Sequence, residues 1–137
     1  MSNILDAYKT ISDWKVSNIK ARNIEKVNLA ITKTPIRLLL PSTEGRVEFV
    51  AMGNSMAAQW TIRDLCLFAP LTQGKGVEQF AKGMVDYITG YMDKVKETRS
   101  PATNICIVDV SFQMTPMPWA EKDYWAVDTT ITLREVL

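Results

Sequence analysis

Between Val77 and Val95 the apolar residues fall at helical spacing. Val77, Phe80, Ala81, Met84, Val85, Ile88, Tyr91, Met92 and Val95 recur at i, i+3, i+4, i+7 and i+8, one side of a 3.6-residue helix. Glu78, Gln79, Lys82, Asp86, Asp93, Lys94 and Lys96 fall mostly between them, so the stretch predicts an amphipathic helix lying on a sheet. Gly74 and Gly76 before it, and Thr98, Ser100 and Pro101 after it, punctuate both ends. A narrower stripe, Ile4, Leu5, Tyr8, Ile11 and then Trp14 or Lys15, predicts a short first helix capped by Ser2 or Asn3. Over residues 16–34 the period weakens. This segment reads as an arm or long connection with a short strand around Val27 to Ile31, since so long a structureless loop inside a domain is unusual.

Elsewhere the alternation has period two. Ile36 to Leu40, bounded by Pro35 and Pro41, predicts a short strand. Ser42 to Gly45 reads as a turn, and Val47, Phe49 and Ala51 as a second strand. Gly53, Asn54 and Ser55 form the next turn. Met56 to Ala69 is the longest strand, with Trp60 and Ile62 alternating against Gln59, Thr61 and Arg63. A change of phase at Asp64 and Leu65 predicts a bulge, and the apolar run Leu65 to Phe68 predicts the middle of the sheet. Ile105, Ile107, Val108, Val110, Phe112 and Met114 form one further strand, and Trp125, Val127, Thr129, Ile131 and Leu133 its partner. Thr115 to Asp123 joins them as a loop too long for a tight hairpin turn. The expected fold is a single α+β domain over residues 1–137, in the order α-β-β-β-α-β-β. Its sheet is mainly antiparallel, of about five strands, with two helices packed on one face.

Composition narrows the class without naming a chemistry. Hydrophobic residues at 47% and charged residues at 23% suit a soluble globular chain. No apolar run approaches the ~20 residues of a membrane span, and the first residues lack a basic start and an h-region, so a cytoplasmic, membrane-free protein is expected. A net charge of +1 argues against bulk nucleic-acid binding through a basic patch. The charge is unevenly spread, however. Residues 1–37 hold seven basic and three acidic residues (+4) and the remainder nine against twelve (−3), two complementary portions.

Candidate chemistry is sparse. With no histidine, Ser-His and Cys-His triads are excluded, and Cys66 and Cys106 have neither C-x-x-C spacing nor a histidine to complete a zinc site. Both cysteines read as buried thiols. Asp64, Asp109 and Asp128 are the carboxylates an acid/base site would draw on. The competing and preferred reading puts them on the solvent face, or pairs Asp64 across strands with Arg37 or Arg134. Gly74-Lys75-Gly76 precedes a helix but lacks the spacing and the Ser or Thr of a phosphate-binding loop. No catalytic residue, cofactor or metal is therefore expected. Trp60, Tyr87, Tyr91 and Trp125 would line the pocket of an alternative, a small-ligand-binding or enzymatic α+β domain, although such aromatics are more often core. Met52, Met56, Met114 and Met117 stand in or beside expected loops, and with Trp119 they make a partner-binding patch, the competing reading being that Trp119 plugs its own sheet.

The order of elements carries one resemblance. A first helix, a proline-flanked strand, the long strand from Trp60 to Pro70, the helix Val77 to Val95 and a last strand reading Tyr124-Trp-Ala-Val-Asp-Thr-Thr-Ile-Thr-Leu133 resemble the tail terminator (tail completion) proteins of long-tailed bacteriophages. The resemblance covers most of the chain as a pattern, without a residue signature. It departs in the length of the segment 16–34 and in the Pro- and Met-rich stretch from Thr115 to Asp123. It implies a structural virion protein and no enzyme activity. It further implies a ring of self-associated subunits, six by the family's pattern, that caps the tail tube protein, ends polymerisation and meets a head-side connector. DNA is then cargo passing through the lumen, and assembly takes place in the host cytoplasm. Arg46, Met52, Met56, Met114, Met117 and Trp119 are the expected interface residues, and Asp109, Asp128 and Glu135 the acidic candidates for the lumen.

Overall fold

The fold is described from a computed structural model over residues 3–22, 35–49, 56–70, 77–119 and 122–136. In chain order the elements are α1 (Ile4–Ser12), β1 (Lys15–Val16), β2 (Ile19–Arg22), β3 (Ile36–Phe49), β4 (Met56–Pro70), α2 (Val77–Glu97), β5 (Ile105–Trp119) and β6 (Lys122–Val136). The strands form one sheet in the order β1-β2-β3-β4-β6-β5. All neighbours are antiparallel except β2 and β3. Ala7 and Ile11 of α1 and Met84, Tyr87 and Tyr91 of α2 share a core with Leu39, Ile62, Cys66, Ile107, Val127, Ile131 and Leu133 of the sheet. Both helices therefore cover one face, the α+β arrangement the hydrophobic pattern predicts.

Several details differ, and each difference has a local cause. Ile36 to Leu40 and Val47 to Ala51 are not separate strands. β3 runs unbroken from Ile36 to Phe49, and the expected turn at Ser42 to Gly45 is a register shift between Leu40 and Glu44. Pro41 cannot donate to a ladder, and an irregularity there keeps it out of the paired positions without ending the strand. Residues 51–55 and the strand expected at Val27 to Ile31 lie outside the described residues. The segment from Val16 begins instead with a hairpin in which Val16 pairs Ile19. Ser17 and Asn18 between them have φ values of 51° and 63°, the paired left-handed conformation of a two-residue type I′ turn. No bulge occurs at Asp64 and Leu65, where β4 pairs continuously with both neighbours. The shift lies between Leu67 and Ala69. Asp64 breaks the apolar pattern while staying on the helix face with Ile62 and Cys66, so the apparent change of phase is a charged residue in a core position.

Leu65 and Leu67 point the other way, into a second buried cluster with Ile36, Leu38, Tyr124 and Ala126. One end of the sheet is thus buried on both faces, as the run from Leu65 to Phe68 leads one to expect.

The stretch from Thr115 to Asp123 is not a long loop. β5 and β6 stay paired to Trp119↔Lys122, so two residues separate the strands of a long hairpin. Pro116 and Pro118 are tolerated because β5 is the edge strand. Two residues apart, they direct their missing N–H groups to the same side, and an edge strand has one side free of ladder bonds.

The helix stripes are also rotated from expectation. In α1, Leu5 is 79% exposed, while Ala7 and Ile11 are buried. In α2 the sheet-facing line is Met84, Tyr87, Ile88, Tyr91 and Val95, and Val85 and Met92 stand half in water. Tyr87 takes the position that a reading of aliphatic periodicity gives to Val85.

Met84 is fully buried against the sheet, and Lys82 is exposed. Met84→Asp places an unpaired charge in the core, at a cost of several kcal/mol against a total stability of roughly 5 to 15. We expect Met84→Asp to abolish cooperative unfolding in thermal melts and Lys82→Asp to melt within a few degrees of the parent. A cooperatively melting, soluble Met84→Asp protein would contradict this packing of α2.

Candidate functional site

The three strand aspartates do not meet. Asp64 is fully buried on the helix face, where its carboxylate accepts from Arg37 Nε at 3.0 and 2.8 Å and from Tyr91 Oη at 2.6 Å. Arg37, equally buried, also donates from Nη1 to the Trp14 carbonyl at 2.6 Å and from Nη2 to the Ile11 carbonyl at 3.0 Å. Burial opposes the Arg37 charge, but the charge and hydrogen bonds of Asp64 outweigh it and hold the guanidinium more firmly protonated than usual. Burial first, and the Asp64 charge second, raise the Tyr91 and Tyr87 hydroxyls and the Cys66 thiol well above their ordinary ranges. This is a structural tie, with the polar groups of Asp64 and Arg37 engaged inside the protein. The expected cross-strand partner of Asp64 is thus Arg37, with Arg134 exposed at the surface.

Asp128 lies on the other face of the sheet and pairs with Arg63 through both oxygens, Nε to Oδ1 at 2.9 Å and Nη2 to Oδ2 at 2.8 Å. Asp109 is exposed on β5. Glu135, a lumen candidate from sequence, is buried. It accepts from the Asn3 backbone N–H at 2.6 Å and from Trp60 Nε1 at 3.2 Å. It sets a carboxylate at the N-terminus of α1, where the helix dipole favours negative charge. Glu135 is therefore removed from the lumen set, and Asp128 is engaged, leaving Asp109 as the exposed acid of the three.

The four aromatics of the alternative pocket divide. Tyr87 and Tyr91 have no exposure, their rings lie 5.9 Å apart, and Phe68 and Trp14 pack edge-on against them at 5.5 and 5.8 Å. Trp60 and Trp125 are partly buried against the same core. Both tyrosines are core residues, the more frequent role of such a set. Of the two cysteines, Cys66 is buried as expected, but Cys106 is exposed on β5, because it alternates with Ile105 and Ile107 of the core and so faces away from the helices.

The expected interface residues fall at opposite ends of the sheet. Met114, Met117 and Trp119 occupy the far half of β5, near the tip of the hairpin, whereas Arg46 and Met56 belong to the distal part of the β3–β4 pairing, next to Phe49↔Met56. Along β4, Arg46 is level with Gln59 and Met114 with Cys66, while Met117 is level with Pro70, so the two groups stand from roughly 23 Å to roughly 46 Å apart at ~3.3 Å per residue. Met114 is half exposed, but Met117 packs partly against the second cluster, with Arg63 Nη2 at 3.6 Å from its sulfur. Met52 lies outside the described residues, as do the side chains of Arg46, Met56 and Trp119.

One surface feature escaped the sequence reading. A groove of about 460 Å³ runs between the end of α2 and the first half of β5, lined on the helix side by Met92, Val95 and Lys96 and on the strand side by Val108, Asp109 and Phe112, with Arg99 at its end. Val108 is the extra residue where pairing shifts between Ile107 and Asp109. The bulge keeps Ile107 before it and Val110 and Phe112 after it against the same core, at the cost of leaving Val108 half exposed. Val85 and Met114, outside the groove, are also half exposed. The signal was present as the adjacent apolar pair Ile107-Val108, which breaks the alternation of β5.

Arg37→Ala should destabilise the protein by about 3 to 5 kcal/mol in urea unfolding, since it leaves the Asp64 charge buried without its partner. The double variant Arg37→Met with Asp64→Leu should cost clearly less than the sum of its single variants, and simple additivity would show that the pair is not coupled. Alkaline pH acts on the same region. Cys66, Tyr87 and Tyr91 are held protonated in the fold, while in the unfolded chain they ionise near 9.0 and 10.0. Their contribution is fully present below those values and is lost as pH rises above about 9, so unfolding free energy should fall steadily from pH 9 to 11. A thiol reagent at pH 8 should modify Cys106 rapidly and Cys66 at the rate of unfolding, and fast modification of both would contradict the burial of Cys66.

No protein-family model matches this chain, and a search of curated proteins also finds no match.

Proposed function

We propose that this chain is a structural virion protein of the tail-terminator kind. Subunits assemble as a ring, six by the family's pattern, that caps the tail tube, ends its polymerisation and joins it to the head-side connector, with DNA as cargo in the lumen. The observation that supports this reading is that one subunit carries two different surface features, a groove and a hairpin end, at separate places on β5. The apolar groove of α2 and β5 is removed along β5 from the hairpin end that bears Pro116, Pro118 and Trp119. Two different patches on one subunit suit head-to-tail contacts, which close into rings when the rotation allows. The +4 and −3 portions of the sequence add complementary charge to the same sense of association. The order of helices and strands in one α+β domain supports the reading as well. Association, and not chemistry, is then the activity of the molecule.

Light scattering over a range of concentrations should show a hexamer-sized species that weakens with salt, because the Debye length contracts to about 3 Å at 1 M. A strict monomer at high concentration that also fails to cap purified tail tubes would overturn the proposal. Trp119→Ala should leave the melting temperature nearly unchanged and impair ring formation or tail completion. A loss of roughly 3 kcal/mol or more with normal assembly would assign Trp119 to its own core.

A further inference from the structure

We infer that the groove between α2 and β5 is the seat for the β5–β6 hairpin end of a second copy of this chain. The inference deepens the ring reading above and rests on it for the head-to-tail sense of the contact.

The argument begins with reach. Phe112 lines the groove and Trp119 ends the same strand, seven residue steps and roughly 23 Å away at ~3.3 Å per residue. A strand paired along its length to β6 cannot fold back over that distance, so a molecule's own hairpin end does not fill its own groove. The volume of about 460 Å³ falls within the roughly 300 to 1,000 Å³ typical of clefts that enclose a ligand or a few side chains. The hairpin end offers suitable contents. Pro116 and Pro118 are exposed, and their fixed backbone loses little freedom on docking. Trp119, beside them in sequence, is the residue type most enriched among binding anchors.

Charge fixes the pairing of the two surfaces. The groove presents Lys96 and Arg99 on one side and Asp109 on the other, all exposed. The hairpin end reads Glu121-Lys122-Asp123, the inverse pattern of two acids and one base. Strand addition along β5 is disfavoured by the bulge at Val108 and by the two prolines, so the contact is insertion of side chains into a groove. Because the two patches differ, each subunit uses one to hold a neighbour and offers the other to the next.

Complementation between two damaged surfaces provides the test. The groove variant carries Lys96→Glu and Arg99→Glu, and the hairpin variant Glu121→Lys and Asp123→Lys; Lys96, Arg99 and Asp123 are exposed. Sedimentation analysis at matched concentration should find each variant alone monomeric, with assembly weakened about thirtyfold or more relative to the parent. A single chain carrying all four substitutions should recover the parental assembly, because the two bases of the groove and the two acids of the hairpin change sign together while Asp109 and Lys122 keep theirs. A second pair, Val108→Glu for the groove and Trp119→Ala for the hairpin, should form a heterodimer and nothing larger when mixed, since one intact groove and one intact hairpin remain between them. Parental assembly by the folded groove variant, no recovery in the fourfold variant, or a mixture that stays monomeric would overturn the inference. So would a parent chain that remains monomeric throughout. Subunits that pass these tests yet fail to cap tail tubes would remove the tail-terminator reading and leave this contact standing. Capping rings indifferent to the groove substitutions would do the reverse.

Discussion

A guanidinium group without access to water must find all its partners inside the protein, and Arg37 imposes that requirement on four elements at once. It stands on β3, pairs with Asp64 on β4, and closes the end of α1 through the Ile11 and Trp14 carbonyls. Asp64 in turn accepts from Tyr91 on α2. The exposed carbonyls at the C-terminus of a helix favour a cation, so α1 is held by its end as well as by its apolar side. A nine-residue helix is marginal by itself, which makes such an anchor consequential. The Glu135 carboxylate meets the opposite end of the same helix at Asn3. α1 is therefore clamped between a basic and an acidic side chain, each buried and each supplied by the sheet.

Once the helices are fixed in this way, one face of the sheet is committed to the core and its margin decides what remains for contact. α2 covers β4, β5 and β6 with Met84, Tyr87 and Tyr91, leaving Val85 and Met92 on its outer flank. Among the described residues β5 has no further strand beyond it, and its bulge at Val108 and its far half beyond Phe112 meet solvent. The groove is the gap between a helix rotated to bury its tyrosines and an edge strand displaced by a bulge. Its existence follows from the packing of the core and needs no additional device.

The elements with a sustained period were legible in the sequence, and those governed by one or two residues were not. α2, the long β4 and the pairing of β5 with β6 could be read because many residues repeat the same alternation. The Val16–Ile19 hairpin rests on the φ angles of Ser17 and Asn18 alone, with strands too short to show a pattern. Pro41 and the Pro116–Pro118 pair were read as breaks. Proline does end a central strand, but position at an edge or an irregularity removes the conflict, and position in the sheet is a tertiary fact. Asp64 misled for a related reason, since a charge in a core position looks like a change of face until its partner is known. Among the interface candidates, Met117 packs partly against the second cluster, which a thioether near a turn can do as readily as face a partner, and the groove is not legible in the sequence because it arises between elements.

The β5–β6 hairpin also bears on how the chain acquires its structure. Its strands are joined by two residues, whereas β4 reaches β6 and β2 reaches β3 across far longer stretches of chain. Loop closure costs least for such local pairs, which places this hairpin, with the much shorter β1–β2 hairpin, ahead of the long-range pairings that build the rest of the sheet. A young hairpin exposes two edges, each a template for misassociation. On the β5 side the bulge and the two prolines interrupt the row of backbone donors, leaving β6, the side awaiting β4, as the uninterrupted template. The same prolines that look out of place in a strand thus give the folding intermediate a direction, turning the growth of the sheet inward toward its own chain.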